Sequence, residues 1–304
     1  MSHFSGDNGR DIVGGTRDFE QAMNELGLNY TVSKRDIYFD CADGIGVAPN
    51  HCLAVRDDND MPFGPVGKDF GMIQPMDAFS PAKEWLSLDP TVSVVSGGAL
   101  DGGRTAWLHL ELPVKGEPVP GDIVRYLAQF HCGFDGSAAN TLRVMALREA
   151  CINHSIVAHV RNAFKIKHTK NAQSRFDAMR HDMQVAIEAA VRHVELLNGL
   201  AKVYVSDSEL LAFANDLFPA EGQETARTRI LDLAHTGKGQ DLNGLSGTAW
   251  AAYNAVTEYS EYWRGTEGRG RKSTQESRWQ NVTLGGTGDE LNQQAFQYLV
   301  NLAA

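Results

Sequence analysis

Residues 171–200 read NAQSRFDAMRHDMQVAIEAAVRHVELLNGL, and the fold turns on this stretch. Phe176, Met179, Met183, Ile187, Ala190, Val194 and Leu197 recur at spacings of three or four. That period places them on one stripe of a long helix, since a helix turns once in about 3.6 residues. Gly199 predicts its stop. An amphipathic helix of this length must bury its stripe against another layer. The sequence upstream supplies that layer as β-structure.

Working outward toward the start, Ile123–Cys132 reads as a strand followed by a turn at Gly133–Ser137. Thr91–Val95 and Thr105–Leu112 bracket glycines 97, 98, 102 and 103 and predict a hairpin. His51–Gln74 predicts another, with HCLAVR as one arm, DDNDMPFG as the turn region and Val66–Gln74 as the second arm. Tyr30–Phe39 alternates as a strand, Thr16–Leu26 and Met76–Leu86 read as short helices, and Pro113–Pro120 as a linker. Toward the end, Ser208–Leu217, Glu224–Leu233, Thr248–Trp263 and Asp289–Leu302 read as helices, as does Arg148–Phe164. Phe164–His168 alternates as a brief strand with Lys165 and Lys167 on one face. The expectation is an α+β protein, with an antiparallel β-sheet in the first half and the long helix and further helices packed on it. Residues 1–16 read as a flexible leader. Residues 17–302 read as a single domain, β-rich to about 147 and mainly helical afterwards.

The 304 residues are 42% hydrophobic and 22% charged, which suits a core-forming chain and excludes whole-chain disorder. No apolar run has the length of a membrane span, and the polar start carries no apolar signal core, so the expected location is the cytoplasm. Cys41, Cys52, Cys132 and Cys151 are widely spaced, with no CxxC pair, and are expected to be buried free thiols. No GxxxxGK[ST], HExxH or GxSxG occurs, and the glycines at 44–47 and 285–288 fit turns. His154 and His159 are five apart and share no helix face well; His131 and Cys132 point to opposite sides of a strand. No metal, cofactor or catalytic residue is therefore assigned.

Charge is the stronger signal. The net charge is -10, carried as -9 by residues 1–151 and -1 by 152–304. Within 152–203 eight bases face four acids, a local +4 accompanied by five histidines. Arg161, Lys165, Lys167, Lys170, Arg175 and Arg180 lead into and open the long helix. Cations there oppose the positive end of the helix dipole unless a polyanion arrives to use both charges and amides. A second basic run lies at Arg264–Arg278.

KIKHTKNAQSRFDAMR at 165–180, DLNGLSGTAWAAYNAVTEY at 241–259, LAVRDD at 53–58, GDIVRYL with FDGSAA at 121–139, and LGGTGDELNQQAFQYL at 284–299 are similar to the phage/plasmid-like protein family. The resemblance runs in order over about residues 40–302, although Asn153-His154-Ser155 and Leu284 depart from the family's habit. That family is a domain of unknown function carried on phages, plasmids and mobile islands. Such a setting implies replication, recombination or defence, and the outline of a β-rich half followed by a long helix is similar to phage single-strand annealing proteins. The resulting expectation is a non-enzymatic homo-oligomer that binds single-stranded DNA and anneals strands. Its phosphate contacts would be Arg161, Lys165, Lys167, Lys170, Arg175 and Arg180. The alternative is a protein that acts by contact with a host or phage partner, with the acidic first half as its working surface. Neither reading calls for a membrane.

Overall fold

The computed structural model describes residues 9–161, 172–266 and 272–303, with side chains for 9–160, 178–266 and 272–303. The chain is α+β, with antiparallel sheets in the first half and helices, one of them long, in the second. It opens on β1 (Arg10–Thr16) and α1 (Phe19–Glu25), capped by the Asp18 carboxylate, which accepts from Gln21 N at 2.9 Å. Next, β2 (Val32–Cys41), β3 (Gly44–Arg56) and β4 (Met61–Gly67) form a three-stranded sheet in that order. Two short helices follow, α2 (Pro75–Ala78) and α3 (Ser80–Leu88). Then come β5 (Ser93–Leu100), β6 (Thr105–Gly116), β7 (Val124–Gly133), β8 (Thr141–Arg148) and β9 (Asn153–Arg161). With β1 they make a six-stranded sheet of order β1-β5-β6-β7-β8-β9. The second half holds α4 (Ala172–Leu200), α5 (Asp207–Leu217), α6 (Glu224–Thr236), α7 (Ala249–Glu258), α8 (Gln275–Thr283) and α9 (Thr287–Ala303). Among the described residues no helix is long and apolar enough to cross a membrane.

Several local expectations change. The helix expected over Arg148–Phe164 is not formed by its described residues: Asn153–Arg161 is β9, entered through a turn in which Ile152 takes φ 58°. The β-branched Ile156, Val157 and Val160 suit that strand. Residues 10–16 of the expected leader form β1, which pairs with β5 from Arg10↔Gly97 to Thr16↔Val94. Gly97 and Gly98 lie inside β5 instead of a connection. A Cβ on Gly97 would stand 2.8 Å from Leu26 Cδ1 and 3.0 Å from Trp107 O, so the glycine lets the end of α1 lie on the strand. The linker at Pro113–Pro120 is partly β6, and the helix to Trp263 ends in a π-helical turn at Tyr259–Trp263. Three cysteines are buried as expected, but Cys41 is exposed. The brief strand at Phe164–His168 lies outside the described residues.

The chain divides into two compact units: Met1–Glu111 with Ala128–Arg143 and His159–Gln184, and Leu112–Leu127 with Val144–Ala158 and Val185–Ala304. In the first, Trp85 meets Phe130 edge-on at 5.4 Å and Tyr30 meets Phe134 at 6.0 Å. In the second, α4 packs on the sheet. Tyr126 Oη of β7 lies 2.9 Å from His193 Nδ1, and the His193 ring stacks on Phe296 of α9 at 5.0 Å. Of the α4 stripe, Met179, Met183, Ala190 and Leu197 are buried, while Ile187 and Val194 are half-buried. Phe176 has no described side chain.

The second unit is pinned by one buried ion pair. Asp122 is fully buried, and its Oδ1 accepts from Arg148 Nε at 2.7 Å. Its Oδ2 accepts from the Trp250 indole at 2.7 Å. Arg148 Nη1 and Nη2 donate to Lys238 O and Gly239 O, each at 3.0 Å. The end of β8, the entry to β7, the loop before α7 and α7 itself meet at this one pair. Asp122→Ala leaves the guanidinium buried without its counter-charge and should cost about 3–5 kcal/mol. Trp250→Phe, which leaves the ion pair in place, should cost less. Urea midpoints of the two variants check this ranking, and an Asp122→Ala protein as stable as wild type would refute it.

Candidate nucleic-acid interface

The six basic residues expected to meet phosphate fall around the start of α4. Arg161 closes β9 and Arg175 lies in α4, in both cases with no described side chain. Lys165, Lys167 and Lys170 lie outside the described residues. Arg180 is exposed on α4, beside the exposed His181. The first turn of α4 holds no acidic residue, so no carboxylate of that turn counters an anion at the helix's positive end.

The second basic run divides differently. Arg278 is buried, with Nε donating to Glu261 O at 3.0 Å and Nη1 to Ser273 O at 2.8 Å. Arg264 donates to Thr287 O. These two cations hold the segments around α8, although as bare sequence they look as available to phosphate as any others. Arg269 and Arg271 lie outside the described residues.

Base stacking on a single strand would need exposed aromatic side chains. Trp250 and Tyr253 are buried, stacked at 5.8 Å. Tyr259, Tyr262 and Trp263 are half-buried; Tyr262 Oη donates to Ile152 O at 2.9 Å, and Arg229 sits over the Trp263 ring at 4.2 Å. Exposed aromatics stand elsewhere, at Tyr204 (74% accessible), Tyr38 (65%) and Phe39 (49%). The last two belong to the β2–β3 hairpin. Its tip also exposes Ile45 and Val47 and carries Asp36, Asp40 and Asp43 with no base between residues 36 and 50.

A line of polar side chains crosses the six-stranded sheet inside the first unit. Ser96 Oγ lies 3.1 Å from His109 Nδ1, His109 Nε2 lies 3.1 Å from Gln129 Nε2, and Arg143 Nη1 donates to Gln129 Oε1 at 3.4 Å. All four residues are buried. Arg143 fixes the orientation of the amide, so the Gln129 NH2 donates to His109 Nε2. His109 then carries its proton on Nδ1 and donates to Ser96. A serine that accepts from histidine is not being deprotonated by it, so this pair is not a nucleophile with its base. Sequence reading missed the line because only strand register brings it together. Its trace in sequence is the polar residues set within apolar strands, as in LHL and AQF.

His131 is also buried on β7; burial, followed by the charge of Arg143, pushes its pKa down to about 4. Burial pushes His193 down to about 3. Among the described residues no group of three or more His, Cys, Asp or Glu side chains could hold a metal. A cavity of about 210 Å³ is lined by Arg10, Arg56 and the glycines 9, 27, 98 and 102. Its Arg56 is committed to Asp58, at 2.6 and 2.8 Å, and to the Tyr30 ring at 4.1 Å.

A family model described as a domain of unknown function, DUF932, matches residues 62–282, from β4 to α8. Neither a curated protein nor a solved structure matches the chain.

The burial of His131 and His193 sets a pH dependence. Each is neutral in the fold, whereas in the unfolded chain it titrates near its ordinary 6.5. Below that pH the unfolded state binds protons that the folded state does not, so stability falls as pH drops from 6.5 toward 4 for His131 and toward 3 for His193. His131→Leu should remove up to about 1.4 kcal/mol per pH unit from the slope between pH 6 and about 4.5. Urea unfolding at a series of pH values measures it, and a variant that keeps the wild-type slope would show His131 to be charged in the fold.

Proposed function

We propose that this chain, which belongs to the DUF932 family, binds single-stranded DNA without catalysing a reaction and serves strand annealing in phage or plasmid recombination. The observation that supports this reading is the charge of residues 161–180. Six bases stand there against the single acid Asp177, in a chain of net charge -10. Backbone phosphates are the ligand such a stretch suits, because neutralising them releases bound counterions and needs no particular base sequence. The exposed Arg180 gives the stretch a solvent-facing cation on α4. The protein works in the cytoplasm of the host cell and as a homo-oligomer on this reading, with no cofactor.

A second reading, action by contact with a host or phage protein, is favoured by a different observation. The β2–β3 hairpin presents Tyr38, Phe39, Ile45 and Val47 to solvent among carboxylates that repel nucleic acid.

Binding of a fluorescent single-stranded oligonucleotide at several salt concentrations tests the first reading. Removing one phosphate-binding cation reduces the log–log salt slope by roughly 0.7 for a single strand. The triple change of Lys165, Lys167 and Lys170 to Gln should flatten the slope by about 2, and Arg180→Gln by about 0.7. Melting curves should stay near wild type, since exposed charge changes usually move stability by less than about 0.5 kcal/mol. A folded triple variant with wild-type slope removes the cluster from the site. A wild type that ignores the oligonucleotide at low salt sinks the DNA reading and leaves the protein-contact one.

A further inference from the structure

We propose that β2 is a self-pairing edge, through which two copies of this chain join antiparallel over Lys34–Asp40. The inference is independent of the nucleic-acid reading. β2 is the outer strand of its sheet, and among the described residues no strand pairs with its outer edge. The Gln74 side chain covers that edge at Val32, accepting from its N–H and donating to its carbonyl, both at 2.9 Å. Beyond Val32 the strand runs on into solvent. The irregularity in its pairing with β3, between Asp36↔Cys52 and Tyr38↔Val47, puts the extra residues in β3, so β2 itself stays continuous. An open, regular edge is a template for another strand.

The other side of the hairpin is a poor template. β4 covers β3 from His51 to Arg56, and the uncovered stretch before it contains Pro49, which has no N–H, and Gly44 and Gly46. The β2 edge instead carries Ile37-Tyr38-Phe39, residue types that favour strands. At the tip both faces of the ribbon are in solvent, and a bare two-stranded ribbon is marginal in water. Its exposed apolar side chains cluster as they do on interaction surfaces.

The charge pattern identifies the occupant. Nucleic acid and anionic lipid are repelled by Asp36, Asp40 and Asp43. The strand is, however, complementary to itself, because Lys34, whose ammonium donates to Lys68 O within its own chain, precedes the apolar centre and Asp40 follows it, while Arg35 is held by Asp57 and Asp60. Directly opposed residues of an antiparallel pair share a face, so a two-fold pairing must centre on a residue. Centred on Ile37, it sets Lys34 opposite Asp40 of the second copy and Asp36 opposite Tyr38 of the second copy, with no carboxylate facing another. Centred on Tyr38, it would oppose Asp36 and Asp40, a repulsive pair. The strand therefore selects both its partner and its register.

Sedimentation of the full chain without nucleic acid tests the pairing. Wild type should dimerise at micromolar concentration. Lys34→Asp and Asp40→Lys should each weaken the dimer by about tenfold or more, by setting like charges opposite one another. The double swap should restore it, which a merely structural role for either residue would not produce. Spin labels on Cys41, the one exposed cysteine, give the geometry. With Ile37 at the centre, the two Cys41 backbones lie eight strand positions apart, about 27 Å at about 3.4 Å per residue. A chain that stays monomeric, single swaps without effect, a double swap that fails to restore the dimer, or a dimer lacking that distance would each overturn the proposal. Because no DNA is present, a failure here leaves the DNA reading untouched, and the salt slope tests that reading alone.

Discussion

Asp122 and Arg148 form an ion pair with almost no solvent contact, and the arrangement of the second unit depends on it. Taking two charges out of water is expensive, and their attraction offsets the loss only when the geometry is close and the remaining donors and acceptors are filled. Both carboxylate oxygens are used, one by the guanidinium and one by the Trp250 indole. The guanidinium's other nitrogens reach the carbonyls of Lys238 and Gly239. Arg148 also lies 3.6 Å from Cys151 Sγ. An alternative packing would leave a buried charge unpaired, so the pair selects one position for α7 and the loop before it. Around it α9 docks on β9, with Gln293 Nε2 donating to Ile156 O at 2.6 Å.

The first unit follows a related rule with neutral groups. Ser96, His109, Gln129 and Arg143 form a continuous set of hydrogen bonds across neighbouring strands. Each group satisfies the next, and the arginine sets the direction of the whole line. Because register alone brings these side chains together, a slip of one residue would turn every one of them to the opposite face. The line specifies strand pairing, and its proton arrangement gives no activated nucleophile.

Charge is distributed unevenly over this frame. The acidic first half projects the ribbon at Asp36–Asn50, and the bases gather where β9 ends and α4 begins. The two regions suit different ligands. A carboxylate-bearing ribbon with exposed aromatics suits another β-strand, while a cationic stretch at a helix start suits a phosphate chain. Assembly through one and nucleic-acid binding through the other would not compete for the same residues.

What the amino-acid sequence determined by itself was whatever repeats at short range. The stripe from Met179 to Leu197 marks α4, and apolar spacing marks α5, α6 and α9, because helical period is a property of neighbours along the chain. The hairpin at β3–β4 was legible in part: its first arm lies in β3, but its second arm, expected at Val66–Gln74, is β4 at Met61–Gly67, which begins inside the expected turn region. The basic balance of 161–180 was legible because charge needs no fold to be counted. β8 and β9 were not legible as strands. β8 is buried on both faces, so its apolar run alternates with nothing. Arg278 could not be told from Arg180, since one is buried against Glu261 O and the other is exposed, and only packing separates them. Tertiary structure alone decided that Asp122 meets Arg148 and Trp250, that Ser96 meets His109, and that Tyr38 and Phe39 stay in solvent. Those outcomes depend on which distant segments pair. The free energy of a buried charge or an open strand edge is set by its surroundings, and its own residue type does not disclose them.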